Sequence, residues 1–360
     1  MRRRIRVRKG QPSVALTRAE FERRFRQNFQ DPAFEAVEAE LRRVIDKAWD
    51  GYVEYRKSPR TRKAGRGFHD PHFDLPVEWL AARAAIHAAE ARRRRRGARS
   101  RILIVSASSR SEHSCPGEMP KTFRLAKLAE RVVRRARGFE ADFLDLSAMS
   151  AEYGRRIFPC KACVSTAMPL CHWPCSCYPN HAMGQTGDWM NELYPRWAAA
   201  HGVMILCPVN WYQAPSTLKL MIDRLVCADG GNPDQTSTSG KDPRKAKALE
   251  LRGWTYPKHL AGRAFAVVVH GDAAGVETLR RSLCDWLTDM ELVPAGPHAG
   301  LGRYLGYFGS YATSHDDLDA DRDLQAEVRN TAQALVNTVG LMRRGRYETP
   351  DAGLVEPRPK

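Results

Sequence analysis

The sequence predicts an α/β protein in which a doubly wound, five-stranded parallel sheet follows a basic helical N-terminal extension. Two observations predict this fold class. From residue 101 onward, short apolar runs alternate with segments whose apolar residues recur at helical spacing, which is typical of a parallel sheet covered by helices on both faces. Residues 1–100 contain 26 Lys or Arg against 13 Asp or Glu, so this segment accounts for +13 of the formal net charge of +17.

Length and composition limit the class of protein. A chain of 360 residues is long enough for two domains, and 43% hydrophobic residues can form a core, which excludes disorder throughout. No run of about 18 apolar residues occurs, so we expect no membrane span. The basic residues 1–11 lead into no apolar segment, so we expect no secretory signal. Nine cysteines are an odd number, which argues against a secreted disulfide scaffold and favours a reduced, cytoplasmic protein.

We divide the chain into an N-terminal extension (1–100), an α/β domain (101–345) and a C-terminal tail (346–360). Within the extension, Thr17 with Glu20 forms a capping-box pattern that predicts the start of a first helix. Asp31 followed by Pro32 predicts a second helix, and a third, Ala-rich helix is expected from about Asp74.

Two arginine clusters, at residues 2–8 and 92–96, allow two interpretations. They could form a surface for phosphate-rich partners, most often nucleic acid. Alternatively they are a solvated chain terminus and a helix end where cations oppose the helix dipole. Neither zinc-finger spacing nor an aromatic RNA-binding motif accompanies them, so the sequence favours the second interpretation.

The α/β domain is predicted from five apolar runs without helical spacing, most of them followed by an amphipathic segment. The expected strands are residues 101–106, 139–146, 202–207, 265–269 and 291–295. In such sheets ligands bind outside the carboxyl ends of the strands. The loops after Ser106, Cys207 and Val269 are therefore the candidate site.

The first loop combines hydroxyls with one guanidinium ahead of a helix. Its candidate residues are Ser106, Ser108, Arg110, Ser111 and Thr122. Such a loop suits a phosphate group, although serines at this position are also ordinary helix caps. Neither a Walker A lysine pattern nor G-x-G-x-x-G follows the strand, which disfavours ATP or a dinucleotide on this turn.

The second and third loops add aromatic and small residues. The second loop contains Pro208, Val209, Asn210, Trp211 and Tyr212. Its aromatic side chains suit a flat heteroaromatic ring, or they pack against the following helix; the sequence leaves both open. The third loop begins with His270 and Gly271 and is equally consistent with an ordinary strand-to-helix turn.

These loops resemble those of the NAD(P)H-dependent FMN reductases, a branch of the flavodoxin-like superfamily. In the first loop Ser108, Arg110 and Ser111 match the family pattern, whereas its glycine is replaced and residues 112–121 are inserted. The second loop matches more closely, because most positions of P-x-Y-[WNH]-x-[SG]-x-[PS]-x-x-L-K-x-x-[IF]-D-R are present and Asn210 stands at the usual Tyr. The matching residues are Pro208, Trp211, Pro215, Leu218, Lys219, Ile222, Asp223 and Arg224.

The resemblance implies a flavodoxin-like fold for residues 101–345 and noncovalently bound FMN. The phosphate would lie on Ser108, Arg110, Ser111 and Thr122, and the ring beside residues 209–212 and the third loop. The implied activity is hydride uptake from NAD(P)H and electron transfer to a quinone, a flavin or another small acceptor, usually by a homo-oligomer. No catalytic side chain is nominated. Two alternatives remain: an FMN and iron–sulfur electron carrier without its own substrate, and a nucleic-acid-binding or regulatory flavoprotein.

Five of the nine cysteines fall within 18 residues: Cys160, Cys163, Cys171, Cys175 and Cys177. Paired cysteines can ligate zinc, with His172 as a further ligand, or an iron–sulfur cluster. One subgroup of the family, the iron–sulfur flavoproteins, has a [4Fe-4S] cluster in this region, but with a different spacing. Cluster, zinc and metal-free thiols all stay open. We expect Cys115, Cys207, Cys227 and Cys284 to be loop or core residues, and residues 228–257 to form a lid, a dimer contact or a disordered excursion.

Overall fold

The computed structural model describes residues 5–54, 60–272 and 274–349. The chain forms two compact units, each assembled from non-contiguous segments. The first unit comprises described residues of Met1–Ala84, Arg156–Asn191 and Asp223–Pro257. The second comprises those of Ala85–Arg155, Glu192–Ile222 and Lys258–Lys360.

The described residues contain eight strands and eleven α-helices. The strands are β1 (Thr61–Lys63), β2 (Asp74–Pro76), β3 (Ser100–Ser106), β4 (Phe139–Asp145), β5 (Gly202–Pro208), β6 (Ala264–Gly271), β7 (Val293–Pro294) and β8 (Gly300–Tyr304). The helices are α1 (Arg18–Arg26), α2 (Glu38–Val53), α3 (Val77–Arg94), α4 (Lys121–Arg135), α5 (Ala148–Ala151), α6 (Met190–Ala199), α7 (Ser216–Asp229), α8 (Pro243–Leu251), α9 (Val276–Asp289), α10 (Ser314–Ala320) and α11 (Arg322–Arg343). Short 3₁₀ helices occupy Gln27–Phe29, Pro32–Val37, Cys163–Ser165, Met168–Leu170, His181–Met183, Gln235–Thr238, Gly296–His298 and Tyr311–Thr313.

The second unit is built on a parallel sheet in the order β4-β3-β5-β6-β7, with β8 also paired to β6. The first sheet strand in sequence therefore lies between the second and the third, which is the flavodoxin-like, doubly wound order. Every residue of β6 is buried, as expected for a strand covered on both faces. The predicted α/β, flavodoxin-like fold is confirmed.

The last strands of the sheet, β7 and β8, differ from the prediction. Residues 291–295 supply only the two-residue strand β7, and β8 pairs in parallel with residues Val267–Gly271 of β6. The glycines that hide β8 in the sequence lie against α9. A Cβ atom on Gly300 would lie 2.9 Å from both Arg280 Nη1 and Cys284 Sγ, so these two side chains would have to move to admit a larger residue.

The first unit has its own small cores. Helix α1 begins as predicted, with Thr17 Oγ1 accepting the Glu20 N–H at 3.2 Å. Phe21 of α1 packs against the Trp49 and Tyr52 rings of α2. Helix α3 begins at Val77 rather than near Asp74, because residues 74–76 pair with β1 as strand β2. Leu75, Trp79 and Leu80 are buried together beside this hairpin.

Residues 228–257 are folded within the first unit and include α8. Of the three alternatives for this segment, the disordered excursion is therefore wrong, and the lid and the dimer contact stay predictions. Among the described residues, none of the helices combines the length and apolar character that crossing a bilayer requires.

The second arginine cluster lies at the carboxyl end of α3, where Arg92, Arg93 and Arg94 occupy the last turn. Arg93 pairs with Glu90 at 3.2 Å, and the Arg93 carbonyl accepts from the guanidinium of Arg343 at 3.1 Å. Cations at the carboxyl end of a helix interact favourably with the helix dipole. This fits the second interpretation of the cluster. Residues 2–4 of the first cluster, and 350–360 of the predicted tail, lie outside the described residues.

Candidate functional site

A cleft of about 220 Å³ opens at the carboxyl ends of β3, β5 and β6 in the second unit. Three loops and the start of α4 form most of it. Eight predicted residues line the cleft: Ser108, Arg110, Thr122, Pro208, Val209, Asn210, His270 and Gly271. The described lining also includes Ser109, Pro120, Lys121, Asp272, Leu305 and His315. The topology thus brings the three predicted loops to one place.

The first loop is closed by its own hydrogen bonds. Ser108 Oγ, which is buried, accepts the Arg110 N–H at 3.1 Å, and the Arg110 guanidinium donates to the Glu118 carbonyl at 3.2 Å. Ser111 points its hydroxyl back to the loop, accepting the His113 N–H at 3.2 Å, and does not line the cleft. Helix α4 then starts after Pro120 without a side-chain cap. Its first N–H groups are thus left for an anion.

Ser106 ends β3, and its buried hydroxyl has no hydrogen-bond partner among the described residues. A buried polar atom without a partner costs about 1–3 kcal/mol. Ser106 is fully buried and does not line the cleft, so the structure does not place this predicted residue in contact with a ligand there.

Thr122 and His270 are joined at the base of the cleft. Thr122 Oγ1 and His270 Nε2 lie 2.9 Å apart, and both side chains are buried. Burial lowers the pKa of His270 to about 4, with Lys121 acting in the same direction and Asp272 opposing. His270 is therefore neutral near pH 7 and fixes Thr122 without adding charge. Positive charge at the cleft comes from Arg110 and Lys121.

The second loop turns back sharply at its tip. The N–H groups of Asn210 and Gln213 each donate to the other residue's carbonyl, at 2.9 and 3.0 Å. Between them Trp211 and Tyr212 adopt φ of +49° and +67° and are 90% and 62% exposed. These two rings do not line the cleft. They are also too exposed to be packed against the following helix.

The third loop contacts the second through glycines. The Val209 N–H donates to the His270 carbonyl at 2.8 Å. A Cβ on Gly271 would lie 3.1 Å from Val209 Cβ, and one on Gly275 would lie 2.9 Å from Tyr212 Cα. Because Gly275 also has φ of +109°, only glycine suits this position. The two loops form one continuous wall.

Sequence reasoning missed Lys121, Asp272, Leu305 and His315. Lys121 could have been found, since it directly precedes Thr122 at the start of a predicted helix. Leu305 and His315 follow β8, so their positions depended on a strand that the sequence did not reveal.

The arginine that ends the second-loop motif has a structural role within the first unit. Arg224 is fully buried, forms an ion pair with Asp188 and donates to the Phe158 carbonyl at 3.0 Å. Its guanidinium also lies 4.8 Å from the centre of the Tyr178 ring. Its presence in the motif is thus explained by folding of the first unit.

All nine cysteines are free thiols, and those of the predicted cluster lie in the first unit. Within the part of the chain that the structure describes, no three or more His, Cys, Asp or Glu side chains are arranged to hold a metal ion. His172 is buried, and both of its ring nitrogens are engaged, with Ser176 Oγ at 2.5 Å and Thr238 Oγ1 at 3.1 Å. The iron–sulfur and zinc interpretations of Cys160, Cys163, Cys171, Cys175 and Cys177 stay predictions.

The thiols of this segment differ in acidity. The hydrogen bond with Cys227 lowers the pKa of Cys160 to about 6, and the one with Cys177 lowers that of Cys163 to about 7, in both cases against burial. Burial raises the pKa of Cys171. Cys227, which the sequence predicted to be a loop or core residue, lies in α7 beside Cys160, 67 positions earlier in the chain.

A family model for NADPH-dependent FMN reductases matches residues 100–303, more than half of the chain. The chain belongs to the NADPH-dependent FMN reductase family. It is accordingly an NAD(P)H-dependent, FMN reductase-like oxidoreductase. The matched segment includes all three loops of the cleft.

Several solved structures are similar to the chain at low identity. RosB with a bound 8-demethyl-8-formylriboflavin-5'-phosphate intermediate is 13% identical, with 69% of this chain and 82% of that one covered and a TM-score of 0.46. A flavone reductase is 14% identical (69% and 66% covered, TM-score 0.38). An azoreductase from Bacillus anthracis str. Sterne is 12% identical (66% and 99%, TM-score 0.35). No curated protein matches the chain.

Proposed function

We propose that the protein binds FMN in the cleft of the second unit, accepts hydride from NAD(P)H and passes the electrons to a small acceptor such as a quinone or a free flavin. The observation that supports this most strongly is the convergence of three family-type loops on one open cleft. The side chains of the polypeptide do not fill the cleft, and the start of α4, which has no side-chain cap, lies in its wall.

Different residues of the cleft would bind the phosphate and the ring of FMN. Ser108, Arg110 and Thr122, together with Lys121 and the first N–H groups of α4, would hold the phosphate, since a cation and a helix N-terminus both favour a dianion. The wall formed by Val209, Asn210 and Gly271 would orient the ring. When bound, FMN supplies hydride uptake at its ring and release of electrons singly or in pairs.

The exposed rings of Trp211 and Tyr212 adjoin Asn210 at the rim of this wall. Held by a left-handed backbone, they offer flat apolar faces to solvent next to the cleft. We assign them to stacking with the acceptor or the nicotinamide, a role that fits aromatic side chains at binding surfaces.

We also propose that the protein works as a homo-oligomer in the reducing cytoplasm. The second unit exposes several large aromatic side chains, among them Trp211, Phe308 and Tyr311, and exposed apolar surface of this kind favours association. All nine thiols are free, as expected in a reducing compartment. Light scattering on the FMN-loaded protein checks the oligomer, and a monomer at micromolar concentration would contradict it.

Steady-state kinetics test the activity. Full-length protein loaded with FMN should oxidise NADH or NADPH when menadione or free flavin is added, at a rate proportional to its FMN content. A carrier without its own substrate would stay inactive until a partner reductase is supplied. Absence of oxidation with both nicotinamides and with all acceptors tried would contradict the proposal.

A further inference from the structure

The first unit contains a second and larger cavity, of about 820 Å³, that the proposed function does not use. Small-molecule sites are typically about 300–1,000 Å³. Its lining includes two thiols, Cys163 and Cys177, and two lysines, Lys161 and Lys241. A cavity of this size with nucleophilic side chains in its wall is suited to a reaction with a small molecule.

The two thiols are close enough to react with each other. Cys163 Sγ and Cys177 Sγ lie 3.9 Å apart, so side-chain rotation brings them to bonding distance without a large backbone movement. Both side chains are partly exposed at the cavity. The remaining cluster cysteines, Cys160, Cys171 and Cys175, do not line it.

A lysine marks Cys163 as the attacking thiol. Lys241 Nζ lies 3.9 Å from Cys163 Sγ and is held there by donating to the Leu170 carbonyl at 2.6 Å. A fixed cation beside a thiol favours the thiolate, which is the nucleophilic form. Cys177, whose Sγ lies 3.9 Å from Cys163 Sγ, is placed to act second.

A buried amide points to a ligand with acceptor atoms. Gln235 lines the same cavity and is only 5% exposed, yet its Nε2 has no hydrogen-bond partner among the described residues. An unsatisfied buried donor is costly. A carboxylate or carbonyl oxygen of a ligand would satisfy it. The lining contains two lysines, Lys161 and Lys241, and one carboxylate, Asp74, so the cavity favours an anion.

We propose that Cys163 and Cys177 form a redox-active dithiol that reduces a small, carboxylate-bearing disulfide bound in this cavity. The Cys163 thiolate attacks one sulfur of the disulfide, whose S–S bond breaks. A mixed disulfide forms and the first substrate thiolate leaves. The Cys177 thiolate then attacks Cys163 Sγ, forming the Cys163–Cys177 disulfide and releasing the second thiolate. The dithiol loses two electrons, the substrate gains them, and the two thiol protons end on the two released thiols.

The test uses full-length, reduced protein and glutathione disulfide as the probe. Peptide mapping by mass spectrometry should find a Cys163–Cys177 cross-link and two released glutathione molecules per chain. In Cys177→Ser the reaction should stop at a glutathione adduct on Cys163. In Cys163→Ser neither product should form at these positions, whereas Cys115→Ser, which removes an exposed thiol of the second unit, should behave as the wild type.

The role of charge is tested with a matched pair of lysine variants. Lys241→Met should slow the reaction with glutathione disulfide by about tenfold, because it removes the cation that favours the thiolate. Lys245→Met, which removes an exposed lysine of α8, should not. Wild-type protein should also react faster with glutathione disulfide than with the cationic disulfide cystamine, and Lys241→Met should reduce that preference.

Three results would overturn the proposal. Zinc or iron bound stoichiometrically to the cluster in freshly isolated protein would assign the thiols to a metal. A glutathione adduct on another cysteine, with Cys163 unmodified in Cys177→Ser, would show that Cys163 is not the attacking thiol. Equal rates for Lys241→Met and wild type would remove the electrostatic argument. None of these depends on FMN binding in the second unit.

Discussion

At the scale of single residues, the charged and the neutral side chains in the cleft of the second unit have different roles. Arg110 and Lys121 supply positive charge at its surface, and burial lowers the pKa of Lys121 from its ordinary value. His270 is buried and neutral, and it fixes Thr122 instead of binding an anion by charge. The phosphate site we propose therefore depends on the guanidinium of Arg110 more than on any histidine.

Arg110→Ala should weaken FMN binding by about tenfold, the lower end of what a charge-assisted hydrogen bond contributes at a partly solvated site. Fluorescence titration of FMN measures the dissociation constant. Arg131→Ala, which removes an exposed arginine of α4, serves as control and should leave it unchanged. An unaltered dissociation constant in Arg110→Ala would refute the phosphate assignment.

His270 should make the protein less stable in acid. Its folded pKa, about 4, lies below the ordinary value of 6.5, so the unfolded chain binds the proton first. The free energy of unfolding should therefore be unaffected by this group above about pH 6.5 and should fall by roughly 3 kcal/mol on going to pH 4. Denaturant unfolding of wild type and His270→Gln between these pH values measures the effect.

The variant should retain part of the acid sensitivity, because burial also lowers the pKa of His201 to about 4. His298→Gln, at an exposed position, should keep the full dependence of the wild type. A pH dependence that is identical in His270→Gln and wild type would show that this histidine does not titrate as its burial requires.

At the scale of elements, the cleft depends on the second and third loops lying against each other. Gly275→Ala introduces a Cβ at 2.9 Å from Tyr212 Cα, whereas Gly262→Ala, also at a positive φ, meets nothing within 4 Å. Both variants should lose about 1 kcal/mol of stability from backbone strain. Only Gly275→Ala should also weaken FMN binding, as measured by titration. Equal FMN affinity in the two variants would mean that this contact does not shape the site.

The sequence predicted the elements that depend on continuous apolar runs. Strands β3 to β6 begin within one residue of the predicted positions, because strands buried on both faces have no polar alternation to obscure them. β8 escaped prediction because Gly300 and Gly302 serve packing against α9 and lower the strand propensity of the segment. Lys121 was overlooked because it lies in the inserted segment. The proximity of Cys227 to Cys160 was overlooked because the two residues are distant in the chain.

At the scale of the whole molecule, the first unit combines N-terminal residues with two later segments. The change in charge near residue 100 gives no indication of this assembly, since association of distant segments leaves no trace in composition. The buried Trp79 Nε1 donates to the Pro174 carbonyl at 2.8 Å. The N-terminal residues thereby help to fix the segment that contains the clustered cysteines.

Deletion of residues 1–84 should therefore expose residues 160–177 to proteases. Limited proteolysis followed by mass spectrometry should find early cleavage there in the truncated protein and late cleavage in the full chain, because the truncation removes Leu75 and Trp79 from a buried cluster. Deletion of residues 1–11 alone should not have this effect. The same cleavage pattern in all three proteins would contradict the assembly described for the first unit.

Calorimetric titration of FMN and riboflavin into the full-length, flavin-free protein tests the central claim most directly. We predict that one FMN binds per chain and that riboflavin, which lacks the phosphate, binds at least tenfold more weakly, since charge-assisted contacts to the phosphate are lost. No binding of FMN, or equal affinity for the two flavins, would contradict the assignment of the cleft.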